Sequence, residues 1–296
     1  MARGSEDGDK QDAVDAASDG DTIYVCEGVY TFVEIDRATL SLVGAGTGAT
    51  TVDGGAHPAI TVDSSTIDSS GFTLTGANTT DFEVGGRWII ASTAVVEDVR
   101  FADSASGYAA FQRGSAVTWD GVVFEDNTAA PLAAADGGSM VLRHSIFRNN
   151  QAPSSGGAVY LTTPLSSGWV YNNTWHANDH GGAQYLVYSA SSVRFEDNIV
   201  SETVGGGIAA HEVGDGMVYN TSSGNTGDNW PSFAGDATPA ENLIVEPRFT
   251  DAAGGDFTLL EGFSPWFDAG NPLSGYDDVD GTRNDLGRFG GPAGSW

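Results

Sequence analysis

Glu125, Arg148 and His176 are the side chains whose types and spacing best suit chemistry. Each directly follows an aromatic residue, Phe124, Phe147 or Trp175. The pattern also takes in Phe72, Phe101 and Val200, at intervals of 29, 23, 23, 28 and 25 residues. If the chain stacks in that register, the three stand on consecutive coils about 5 Å apart. A carboxylate, a guanidinium and an imidazole in a row could bind or attack a sugar acid. The same row also reads as a surface ladder in which Glu125 and Arg148 form a modest exposed ion pair. The next position holds Asp103, Asp126, Asn149, Ala177 and Glu202, and the one after it Ser104, Asn127, Asn150, Asn178 and Thr203. Stacked Asp103 and Asp126 are candidate Ca2+ ligands, and the three asparagines suit a turn ladder.

A second group gathers Trp169, Tyr171, Trp175, His176, Asp179, His180, Tyr185, Tyr188, His211 and Glu212. Flat rings with a few polar groups are what a glycan groove needs, which makes Trp169, Tyr171, Trp175, Tyr185 and Tyr188 ligand-binding candidates. Alternatively, alternate aromatics point inward as core. Asp179, His180, His211 and Glu212 join Glu125, Asp126, Arg148 and His176 as candidate catalytic groups. The acids Asp277, Asp278, Asp280 and Asp285 could hold Ca2+, although Gly281 directly after Asp280 departs from the EF-hand spacing. A solvated acidic turn is the competing reading of that stretch.

Known ways of cutting polysaccharides narrow the choices. Lys10 is the sole lysine and lies in a polar tail, so a lysine base for uronate elimination is nearly excluded. Paired carboxylates one coil apart suit the retaining hydrolase separation of about 5 Å, and two coils apart the inverting one. The single Cys26 argues against thiol chemistry and against a disulfide scaffold.

The elements that must position these residues are short strands. Val117–Phe124 and Met140–Phe147 alternate apolar and polar residues, and turn residues bound them. Gly-Gly pairs open apolar runs at 85–86, 137–138, 156–157, 181–182 and 206–207, and Asn follows an aromatic by three in Phe124/Asn127, Phe147/Asn150, Trp175/Asn178 and Phe195/Asn198. The last pair is five residues out of step with Val200. A period near 25 with no helix between strands predicts an all-β solenoid whose coils bury their inward side chains only by stacking. With 41 glycines, 12 basic and 40 acidic residues, the chain carries a formal charge of −28. Nucleic acid and anionic membranes would be repelled, as would pectate or alginate unless Ca2+ bridges them.

The Gly-Gly-Ala-Val and Phe-x-x-Asn repeats resemble those of bacterial polymorphic outer-membrane proteins, and the wider chain resembles the right-handed parallel β-helix, pectin-lyase-like superfamily. Gln11–Tyr30 is similar to that superfamily's opening segment, a short capping helix, a Gly-Asp turn and a first strand. Residues 246–292 resemble the closing segment of secreted or surface β-helix proteins. The resemblance implies a right-handed parallel β-helix of about eight coils, with a polar tail at 1–10, the solenoid at 11–245 and an irregular C-terminal cap at 246–296. A loop is expected over 222–241. The sequence shows no signal peptide and no 18-residue apolar span, so membrane insertion is not expected. The expected function is a secreted or cell-surface adhesin or recognition module that binds polysaccharide or cell-surface glycan, as a monomer or a side-by-side trimer. The alternative is a Ca2+-assisted polysaccharide lyase or glycoside hydrolase; the resemblance implies lysine or arginine as the base of a lyase, which leaves Arg113, Arg143, Arg148 and Arg194.

Overall fold

The computed structural model describes residues 9–76, 87–105, 107–151, 159–161, 167–179, 186–187, 193–208, 217–230 and 241–294. Helix α1 (Asp9–Ala16) begins two residues before its expected start and lays Val14 on the first coil. Strands β1 (Asp21–Val25), β2 (Gly28–Tyr30) and β3 (Val33–Asp36) form that coil. Each starts a column of parallel strands. The first column climbs through 39–44, 66–70, 93–97, 116–120, 139–143, 167–171, 193–196 and 217–218. The second passes 50–53, 73–75, 100–102, 123–125, 146–148, 174–176, 199–201 and 221–223. The third passes 60–63, 87–90, 110–113, 132–135, 159–161 and 186–187. Seven three-strand turns are therefore complete, and two more carry two described strands each, against about eight expected. Among the described residues no helix is long and apolar enough to cross a membrane.

The interior follows from the repeat. Phe101, Phe124, Phe147 and Trp175 occupy one inward row, with ring centroids 4.6, 4.8 and 5.0 Å apart and planes within 14°. That spacing is the strand separation itself, so the ring stack is a consequence of register. Phe72 does not belong to this row. Leu74 stands opposite Phe101, while Phe72 pairs with Val99 and is buried at the neighbouring corner. At Gly137-Gly138 the chain has one residue more than the coil below, and a Cβ on Gly138 would lie 2.1 Å from the Ser115 carbonyl oxygen. Only glycine fits there.

Each corner carries its own ladder of buried polar side chains. Between the second and third columns, Asn127, Asn150 and Asn178 run as expected. Asn150 Nδ2 donates to Asn178 Oδ1 and Phe124 O, and Asn150 Oδ1 accepts from the N–H and Nδ2 of Asn127. Asn198 belongs to a different ladder, at the corner between the first and second columns, where Ser145 N–H and Asn173, Asn198, Asn220 and Asn242 bond in sequence. That explains its five-residue offset. Between the third and first columns Ser65, Ser92 and Ser115 do the same work with hydroxyls. Asp103 and Asp126 are left-handed corner residues with φ of 54° and 56°, a conformation that short polar side chains tolerate.

From residue 246 the chain folds back along the solenoid. A two-stranded antiparallel hairpin (Phe249–Asp251 with Asp256–Leu259) leads to Trp266 and Leu286, which pack with Leu259 on Ile199. Of the loop expected over 222–241, residues 222–223 are strand and 231–240 lie outside the described residues. Three buried acids dock the returning segment. Asp197 Oδ1 accepts the Asn271 N–H at 2.7 Å, Asp278 accepts the N–H groups of Asp285 and Gly291, and Asp285 accepts that of Asp268. Burial pushes their carboxyls up to about 8, 6 and 7 respectively, against the pull of those hydrogen bonds.

Two outcomes are expected. Asn150→Ala strands the donors of Asn127 and the carbonyl of Phe124, and should cost about 3 kcal/mol in denaturant unfolding; an effect below about 0.5 kcal/mol would show the ladder to be incidental. The raised acids bind protons more tightly folded than unfolded. Their stabilising effect is therefore complete below about pH 4, the ordinary aspartate range, and is lost as pH rises through 6, 7 and 8. Glu125 and Asp120 have lowered values, so their contribution is lost in the opposite direction, on acidification. Tm measured by calorimetry should peak near pH 5 and fall toward pH 8, with the upper part of the fall flattened in Asp197→Asn.

Candidate functional site

The expected row forms in register, with Glu125 opposite Arg148 and Arg148 opposite His176. Its character differs from an exposed ion pair. The Glu125 side chain is 6% exposed and held on both oxygens, Oε1 by Arg100 Nε and Oε2 by Arg148 Nε. Burial pushes its carboxyl up, but the two arginine hydrogen bonds outweigh that and hold it below the usual range. Glu125 is thus a shared counter-ion, with no oxygen left to serve as acid or base. His176 ends the row under the C-terminal hairpin, edge-on to Phe249 and Phe257. Its Nδ1 lies 3.0 Å from Ser201 Oγ, and burial lowers its pKa despite Glu202.

The aromatic candidates separate. Trp175 is fully buried in the ring stack, which corrects its reading as a ligand platform: its position in the repeat is the inward one. Trp169 and Tyr171 lie on the outer face of the first column with centroids 4.3 Å apart. Tyr276 meets Trp169 edge-on, and Glu196 accepts from both Trp169 Nε1 and the Tyr276 hydroxyl, so this pair also seats the returning segment. Asp179 bridges to Gln151 at the second-to-third corner. His180, Tyr185, Tyr188, His211 and Glu212 lie outside the described residues.

The Ca2+ candidates do not converge. Among the described residues no three His, Cys, Asp or Glu side chains come together as a cation would require. Asp103 and Asp126 are exposed corner residues, and Asp280 turns back on Thr282. Asp277 is half-buried. Asp278 and Asp285 spend oxygens on backbone N–H groups, where a cation would need them free.

A different constellation emerges at the first-to-second corner. Its left-handed residues Gly71, Asp98, Gly121, His144, Asn172, Asp197 and Tyr219 form a track along the solenoid. The returning segment lies in the upper part of that track. Asn172 Nδ2 donates to Asn284 Oδ1 and Asp285 O, Gly287 N–H to Asp197 O, and Arg288 Nη1 to His144 O. Beyond Arg288 the track is bare and forms a groove of about 420 Å³. Gly46, Gly71, Asp98 and Gly121 line it, with Arg100 and Arg288 at its sides. Next to it Asp120 accepts from Arg143 Nε at 2.9 Å and faces His144 Nδ1 at 2.9 Å, while Arg143 Nη1 donates to the Tyr171 hydroxyl at 3.0 Å. Sequence reasoning missed Asp120, His144 and Arg288. The signal for Asp120 was present, since Asp120, Arg143, Tyr171 and Glu196 all stand four residues before the recurring apolar position.

Comparison with known proteins supports the fold. Residues 88–232 match the family model for the right handed beta helix region. No curated protein matches the sequence. Among solved structures, the chain is similar to an alginate lyase of the PL6 type in complex with a trisaccharide, at 11% identity and a TM-score of 0.49, over 83% of this chain and 62% of that one. It is also similar to the ORF18 protein of Geobacillus virus E2, at 13% identity and 0.40, over 82% and 59%. A third is a pectin methylesterase variant in complex with a hexasaccharide, at 12% and 0.36, over 86% and 93%. The chain thus spans about three fifths of the alginate lyase and of the viral protein. The three parallel columns and the matched region together make the fold a right-handed parallel β-helix.

Proposed function

We propose that this β-helix is a secreted or cell-surface recognition module that binds an extended glycan chain in the bare part of its corner track. The observation that carries this reading is the groove itself, which continues the line occupied further along by a segment of the protein's own backbone. A surface that accepts one extended chain over three coils has the shape for another over the preceding ones. From Gly46 to Gly121 the track rises three coils, roughly 15 Å. Arg100 and Arg288 offer N–H donors to hydroxyl or acidic groups, Asp98 offers an acceptor, and the glycine corners let a ring approach the backbone.

The acids beside the groove favour binding over hydrolysis. Both oxygens of Glu125 and both of Asp120 are engaged by arginine or histidine, so neither forms the free carboxylate pair that hydrolysis needs. One observation favours the lyase alternative: Arg143, Tyr171, Asp120 and His144 cluster at the groove's end, where a uronate carboxylate and its neighbouring proton could be met.

The test is affinity electrophoresis and calorimetry against neutral and acidic polysaccharides, with Ca2+ or chelator, alongside an assay for unsaturated uronate ends. The expected result is binding without cleavage, weakened at least tenfold in Val123→Trp, which fills the groove from the outer face and leaves the core untouched. Unsaturated ends would transfer the assignment to the lyase. Absence of binding by folded protein, or binding unchanged in Val123→Trp, would overturn the groove.

A further inference from the structure

Among the described residues, the lumen of the solenoid contains a buried charge with no ion-pair partner, that of Arg87. Arg87 occupies an inward position of the third column, between Ile60 on the coil below and Ala110 on the coil above. Its side chain is fully buried. From there it crosses the lumen to the first column of its own coil, where Nη1 donates to Ser69 Oγ at 2.6 Å. Ser69 is itself an inward residue in a row with Leu42, Val96 and Trp119, and its hydroxyl donates to Val95 O. Both ends of this crossing are therefore polar residues at positions the repeat otherwise fills with apolar ones.

The rest of the guanidinium is unmet. Nε and Nη2 are buried and have no hydrogen-bond partner. Gln112, the buried polar residue two positions along from Ala110, is already engaged: its Oε1 accepts from Trp119 Nε1, and its Nε2 donates to Ser139 O. Burial lowers the Arg87 pKa to about 9, still well above neutrality, so the group keeps its charge. An uncompensated buried charge is among the most expensive features a core can carry. In the row Ile60, Arg87, Ala110, Leu132, Val159, the residue paired with Arg87 on the coil above bears only a methyl group, while Val96 stands above Ser69.

We propose that the lumen holds a small monovalent anion of chloride size, seated against Nε and Nη2 of Arg87. The anion converts an unpaired interior charge into a neutral, hydrogen-bonded pair. It also lets a protein of charge −28 carry a specific anion where its surface would repel one.

Thermal unfolding of the intact protein at matched ionic strength tests the site, with chloride, bromide, sulfate and gluconate as the anions. A specific halide site raises Tm in chloride or bromide over gluconate by roughly 2–4 °C for a tenfold excess over its dissociation constant, because the ligand binds only the folded state. Arg87→Met, an apolar residue of similar length, should fold and lose the halide difference. Crystals grown in bromide should show an anomalous peak within hydrogen-bond distance of Arg87. Equal Tm in all four anions for the native chain, or no bromide at Arg87, overturns the proposal whether or not the variant folds. A peak accompanied by a halide effect that survives in Arg87→Met would overturn Arg87 as its seat.

Discussion

The structure depends on how buried polar groups are satisfied at three corners repeated coil after coil. A flat strand needs only its neighbour's backbone, but at each bend the chain turns its N–H and C=O groups out of the ladder. In this protein a side chain from the next coil takes them up: serine at one corner, asparagine at the two others. Each asparagine accepts an N–H and donates to a carbonyl of the coil below, and all but the last of each ladder, Asn178 and Asn242, also donate to the next asparagine. Register is therefore specified at every turn, because a slip of one residue would leave several buried groups unpaired at once.

Everything outward-facing follows from that register. Charges at the same or a nearby repeat position are brought within reach of one another on adjacent coils, and the chain uses this to pair them. Arg100 and Arg148 share Glu125, Arg143 takes Asp120, and Arg113 meets Asp136, in each case with partners 23 or 25 residues apart. A chain with a large acidic excess thus concentrates several of its few arginines on the middle coils, beside the corner track. The left-handed backbone of that corner makes a continuous surface channel. The C-terminal segment fills one part of it through buried amides and acids, and the remainder is open.

Much of this was legible in the sequence, for physical reasons that differ by element. The vertical rows Phe101–Phe124–Phe147–Trp175 and Glu125–Arg148–His176 were readable because a period of 23 to 28 residues translates directly into vertical neighbours, but the period alone left Trp175 between core and ligand platform. The ladder at Asn127, Asn150 and Asn178 was readable for the same reason. Phe72 and Asn198 misled because they sit at corners, where residues close to the repeat in type belong to an adjacent row. Burial of Glu125 was not legible, since it depends on Arg100, which stands at a different repeat position on the coil below. Nor was the groove, because it is bounded by Arg288, which arrives more than 160 residues later in the chain through a fold-back that no local pattern encodes.

The central claim is that the open part of the corner track is where a glycan lies. Amide hydrogen exchange of the whole protein, with and without a saturating oligosaccharide that it binds, tests this most directly. The account predicts added protection confined to the residues lining the groove, around 46–47, 70–71, 98–100 and 121–123. Protection centred instead on the Trp169 and Tyr171 face, with those four segments unchanged, would contradict it.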